Sequence, residues 1–114
     1  MPRGKGWAAV INAAADTASA VISLRGSYDT LTLQIIGTAA NSARTITFEE
    51  SIDGTNYVAA MGLLKTDMAT LATGTTNKAE VWTFSVTDVA RFRVALTAIT
   101  GGTVTVFASY TSEG

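Results

Sequence analysis

Apolar and polar residues alternate with a period of two along most of the chain, the mark of strands with one buried face. Trp7, Ala9 and Ile11 alternate with Ala8, Val10 and Asn12, and Ala18, Ala20, Ile22 and Leu24 with Thr17, Ser19, Val21 and Ser23. The Ala-rich stretch over 8–20 also fits a helix, although the β-branched and Ser/Thr content of its second half favours strands. Leu31, Leu33 and Ile35 alternate with Thr30, Thr32 and Gln34. Ile46, Phe48 and Ile52 then point one way and Thr45, Thr47, Glu49 and Ser51 the other. Towards the C-terminus, Trp82, Phe84 and Val86 face inward, followed by Phe92, Val94, Leu96 and Ala98, and by Val104, Val106, Ala108 and Tyr110.

Turn signals separate these runs. Arg25-Gly26-Ser27, the small-residue loop over 37–42, Thr87-Asp88 and Gly101-Gly102 each end a strand. In Asp53-Gly54-Thr55-Asn56 the Asp and Asn side chains can bond their own backbone and Gly supplies positive φ, so 57–60 returns as a second hairpin arm. Residues 61–79 lack the period yet carry Met61, Leu63, Leu64, Met68 and Leu71. A loop this long and this apolar is expected to fold over the sandwich edge or onto a neighbouring subunit. The pattern predicts an all-β antiparallel sandwich, jelly-roll-like, with seven or eight strands in one domain over 1–114.

The chain has 114 residues, 47% of them hydrophobic, enough for one sizeable core. Only 15% are charged, and Thr and Ala number 19 each. A surface so poor in charge fits a protein that hides part of itself in an oligomer. Polar residues interrupt the apolar stretch over 7–24, so it neither spans a membrane as a helix nor reads as a secretory leader, and synthesis in the host cytoplasm is expected. Net charge is −1 with no basic stripe, which argues against nucleic acid as a direct partner. Cysteine and histidine are absent. Disulfides, thiolate metal sites and His-based acid–base constellations are thereby removed, and no cofactor is expected.

The run Thr45-Ile46-Thr47-Phe48-Glu49-Glu50-Ser51-Ile52-Asp53-Gly54-Thr55-Asn56-Tyr57-Val58 resembles a hairpin of small phage virion proteins. In those proteins an F-x-V-T stretch, an F-R-V stretch and a Gly-rich closing hairpin follow. Here the matching residues are Phe84-Ser85-Val86-Thr87, Phe92-Arg93-Val94 and Gly101-Gly102-Thr103-Val104-Thr105-Val106. The resemblance covers about residues 43–110. It implies a β-sandwich subunit of a phage particle, either a capsid decoration protein or a small head or tail component.

Sharper chemistry is scarce. Asp53-Gly54-Thr55-Asn56 could be half a calcium loop, but the further acids such a loop needs are missing and a plain turn accounts for it. Glu49 and Glu50 are adjacent, so a strand sends them to opposite faces, with Glu50 inward and open to pairing with Arg44, Arg91 or Arg93. Arg91 and Arg93 share a face and can grip carboxylates, on a partner or within the chain on Glu49, Glu80 or Asp88. Trp7, Tyr57, Trp82 and Tyr110 could stack on sugars, although Trp82 and Tyr110 sit on inward parities. The expected function is non-enzymatic: a phage structural protein that closes into a ring, most simply a trimer, and binds major capsid or tail proteins in the virion. The alternative is a carbohydrate-binding or host-attachment module. Subunit contacts are assigned to an N-terminal arm over 1–12 and the excursion over 61–79, with Arg3, Lys5, Trp7, Leu63, Leu64, Met68 and Leu71 as contact residues.

Overall fold

The computed structural model describes the backbone of residues 5–112 and side chains from residue 8 on. Eleven strands run through the described residues: β1 (Lys5–Ala14), β2 (Ala18–Ser23), β3 (Thr30–Gly37), β4 (Ala43–Ser51), β5 (Val58–Ala59), β6 (Gly62–Leu64), β7 (Leu71–Ala72), β8 (Gly74–Thr75), β9 (Ala79–Ser85), β10 (Arg91–Thr100) and β11 (Val104–Thr111). They form two antiparallel sheets, in the orders β1-β11-β3-β9-β6-β7 and β2-β10-β4-β5, with β8 also on β4. Eight of them, β1 to β5 and β9 to β11, make two facing four-stranded layers between which the chain crosses at nearly every connection. The result is an antiparallel β-sandwich. The stretch over 8–20 holds the end of β1, a bend and the start of β2, and no helix.

Between the layers the predicted parities close a core of Ile22, Leu24, Leu31, Leu33, Ile35, Ile46, Phe48, Trp82, Phe84, Phe92, Val94, Leu96, Val104 and Val106, among others. Its centre is aromatic and drawn from both sheets. Phe84 meets Phe48 edge-on at 4.9 Å and Phe92 at 4.8 Å, while Trp82 lies 5.6 Å from Phe48. Such pairs add about 0.5–1.5 kcal/mol each beyond the area they bury. The Trp82 indole N–H donates to Glu80 Oε1 at 3.1 Å, so the ring is buried with its polar atom satisfied.

Three local expectations need correcting. Ile52 is 75% exposed, because Ser51 turns inward instead and ends the alternation. The Ser51 hydroxyl donates to Asp53 Oδ1 and accepts the Gly54 N–H, both at 2.9 Å, so the turn begins one residue before Ile52. Ala98 is exposed because a register shift in β10 against β4 falls between Leu96 and Ala98. From Lys5 onward the expected arm lies in the sheet, paired along β11, with register shifts on either side of Ile11.

The excursion over 61–79 folds on the sandwich edges. β6 adds to β9, β7 returns antiparallel on β6, and β8 crosses to pair with β4 of the other sheet. The turn joining β6 to β7 is held by Asp67, whose carboxylate accepts the N–H groups of Ala69 and Thr70 at 2.9 and 3.0 Å. These strands are two or three residues long, too short to show a period.

Candidate subunit-contact surface

The two outer faces differ in chemistry. On the five-stranded sheet, β10 presents Arg91, Arg93, Ala95 and Thr97 between Ser19, Val21 and Ser23 of β2 and Thr45, Thr47 and Glu49 of β4. Arg93 and Glu49 stand opposite one another, with Arg93 Nε 2.9 Å from Glu49 Oε1. The guanidinium also lies over the Tyr57 ring, 4.0 Å from its centroid. Arg93 therefore has its partner within the chain, and Glu49, not Glu50, takes the arginine. Arg91 donates to the Gly54 carbonyl at 3.1 Å and so ties the Asp-Gly turn to the sheet. Glu50 lies beside Phe92 and Val58, where burial pushes its carboxyl above the usual range.

The six-stranded sheet carries several large apolar residues among the polar ones outside. The register places Ala9, Phe107, Gln34 and Val81 in one row, and Ser109, Thr32, Thr83, Leu63 and Leu71 in the next. Ile36 falls in a third row, between Thr105 and Ala79. Leu71 is 62% exposed and Ile36 41%, while Leu63, Val81 and Phe107 are half-buried. Phe107, Val81, Leu63, Leu71 and Ile36 thus form a strip of large apolar side chains from β11 across to β7, with Gln34, Thr32 and Thr83 set between them. On the other sheet the exposed large apolar residues are Val21 of β2 and Val58 of β5, at its two edges, with Ile52 in the turn after β4.

The expected contact residues divide accordingly. Leu63 and Leu71 pair across β6 and β7 on this strip. Met68 is exposed in the turn beside it, whereas Leu64 faces inward, half-buried against the core. Lys5 and Trp7 stand on β1 opposite Thr111 and Ser109, with side chains outside the described residues; Arg3 lies outside them altogether. Sequence reasoning missed Ile36, Val81 and Phe107. Each is a large apolar residue at an outward parity of an otherwise alternating strand, and that was the available signal.

The remaining candidates resolve into packing. Asp53 accepts the N–H groups of Thr55 and Asn56, both at 2.8 Å, and the Asn56 amide at 2.7 Å. These bonds and that from Ser51 hold its carboxyl well below the usual range and account for the Asp as a turn-former. Among the described residues no group of three or more His, Cys, Asp or Glu could hold a metal ion. No helix of the described residues is long and apolar enough to cross a membrane. Trp82 is core, Tyr110 packs edge-on against Tyr28 at 4.8 Å, and Arg93 covers Tyr57, so these three rings form no open sugar-stacking platform.

The same architecture occurs in solved structures of phage-derived proteins. The SPBc2 prophage-derived protein YomS superposes with a TM-score of 0.86 at 25% identity, covering 98% of this chain and 96% of that one. The PBSX exported protein XepA shares the fold, with a TM-score of 0.88 at 23% identity over 98% of this chain and 39% of that one. In sequence, the uncharacterized protein YqxG of Bacillus subtilis (strain 168) is 37% identical over 81 residues, 71% of this chain and 26% of its own length. The chain thus spans about a quarter of that relative. The likeness to phage-derived proteins accords with the resemblance carried by the Asp-Gly-Thr-Asn hairpin. The XepA family profile matches residues 8–109, nearly the whole of both sheets, and the chain belongs to the XepA family.

Proposed function

We propose that this chain is a non-enzymatic structural module of a phage, a decoration or stabilising protein that works by packing against other subunits. The apolar strip of Ile36, Leu63, Leu71, Val81 and Phe107 carries the reading. One face of an antiparallel sheet is normally wet and polar, and several large apolar side chains gathered on it mark a surface that another protein covers. The partners are copies of the chain, closed into a ring with a trimer as the expected size, and the shell or tail subunits on which the ring sits. The relation to a prophage-derived protein supports a phage role. XepA is described as exported, in keeping with action outside the host cell, on the virion or beside it.

The test is the native mass by light scattering over a dilution series, for the wild type and for a Leu63→Ser/Leu71→Ser variant. A closed oligomer that dissociates in the variant, with its β-rich circular dichroism unchanged, is the expected result. An oligomer untouched by those substitutions, or a wild type monomeric at every concentration, would overturn the assignment of this face.

A further inference from the structure

Among the described residues five strands border the two sheets, and four are blunted. β1 is broken by two register shifts and by Ala13 at φ 49°, and β5, β7 and β8 are two residues long. β2 is different. Its six residues, Ala18–Ser23, pair with β10 without a register shift and contain no charge and no proline. Bulges, charges, proline and brevity are the devices that keep sheet edges from adding strands, and β2 has none of them.

The direction of its backbone groups follows from the neighbouring turn. Leu24 donates its N–H to Ala90 O on the β10 side at 2.8 Å. Alternate residues turn their peptide groups to opposite sides, so Ile22, Ala20 and Ala18 face β10 while Ser19, Val21 and Ser23 offer theirs outward. Val21, at the centre, is 52% exposed.

We propose that this edge is a strand-addition site whose partner is the same edge of a second copy, the two β2 strands running antiparallel about a two-fold axis through Val21. In that register Val21 meets Val21, and Ser19 meets Ser23, so all three outward residues exchange both hydrogen bonds. The exposed valine is covered by its own counterpart. The flanking charges match as well. Asp16 precedes β2 and Arg25 follows it, so an antiparallel pair brings opposite charges of the two copies to each end of the joint. No like charges meet along the joint. The surface is separate from the apolar strip, and the proposal does not depend on how that strip is used.

Sedimentation velocity on the full chain over a dilution series tests it. Val21→Pro removes an N–H that no ladder bond uses, and edge strands tolerate proline there. Val21→Lys places a charge on the axis. Both are expected to halve the native mass while circular dichroism stays β-rich. Asp16→Arg or Arg25→Asp alone should raise the dissociation constant of the pairing about tenfold, and the double exchange should restore it. Leu63→Ser/Leu71→Ser should leave this factor of two in place, which separates failure of this joint from failure of the apolar face. An unchanged mass in folded Val21→Pro and Val21→Lys would overturn the proposal. So would a double exchange that does not recover pairing, or a wild type whose β2 takes up an extended foreign peptide but never its own copy.

Discussion

Arg44 is buried with its Nε 2.5 Å from Asn41 Oδ1, and the other acceptors of its guanidinium are the carbonyls of Thr76, at 2.8 Å, and Asn41. A cation inside the fold is thus held by neutral oxygens alone. The Asn41 amide nitrogen in turn donates to the carbonyls of Ala43, Thr100 and Gly101. Two loops and the start of β4 are tied by these two side chains at one end of the sandwich.

Asn41→Ala is therefore expected to destabilise the protein by about 2–4 kcal/mol in urea unfolding. It leaves a buried guanidinium without its nearest acceptor and takes the amide donor from the carbonyls of Ala43 and Gly101, while Thr100 keeps the Ser42 N–H. Arg44→Met should cost less, because it removes the charge along with its needs. An Asn41→Ala loss below that of Arg44→Met would refute the clamp.

The Asp53 turn predicts a pH dependence. Its carboxyl is held below the ordinary value of 3.8 by backbone N–H donors, so the stabilisation is present above that value and is lost as pH falls through the folded one. Asp53→Ala should lower the melting temperature at neutral pH, and the gap to wild type should narrow under acid conditions. A gap constant with pH would mean that the side chain acts through shape and not through charge.

Glu50 carries the opposite sign. Burial raises its pKa above the ordinary 4.5, so the folded state binds the proton more tightly. That contribution is present below the ordinary value and fades as pH rises through the folded one. Glu50→Gln should raise the melting temperature at neutral pH and leave it unchanged well below pH 4.5. A destabilised Gln variant at neutral pH would show that the carboxylate is wanted there.

The parity error at Ile52 has a measurable side. Phe48→Ala should cost about 3–5 kcal/mol, whereas Ile52→Ser should change stability by less than about 0.5 kcal/mol. Chemical denaturation of the two variants separates them. A large loss at Ile52 would restore the inward parity that the sequence suggests.

What the sequence reveals here depends on how far each structural rule reaches along the chain. Strands of six or more residues repeat the period several times, so Leu31, Leu33, Ile35, Phe92 and Val94 announce their faces without tertiary information. Ile52 and Ala98 defeat the same rule because one hydrogen-bonded serine and one register shift each reset the parity locally. β6, β7 and β8 are invisible to it, since two or three residues carry no period and the pairing comes from strands far off in the chain. The contact surface was half legible for a related reason. Leu63 and Leu71 stand out in a polar loop, but Phe107, Val81 and Ile36 become neighbours only once β11, β3 and β9 lie side by side. The unbroken edge of β2 likewise needs the sheet order before it means anything.

Gly62 shows how tightly the excursion is joined to the core. It is buried on β6, and a Cβ there would lie 2.6 Å from Phe84 Cε2 and 2.7 Å from Cζ. Phe84 has little room to yield, because Phe48 and Phe92 hold it edge-on from the opposite sheet and both are fully buried. Gly62→Ala is thus an overpacking substitution worth about 1–3 kcal/mol, despite adding a single methyl group. The strain falls where β6 meets β9, so the excursion should loosen before the sandwich does. Limited proteolysis is expected to cut the variant within 61–79 at denaturant concentrations where wild type stays intact, with the β-rich circular dichroism still present. Equal protease resistance in the two proteins would mean that Phe84 moves aside freely, and that the apolar strip rests on a softer support than the packing of these three phenylalanines provides.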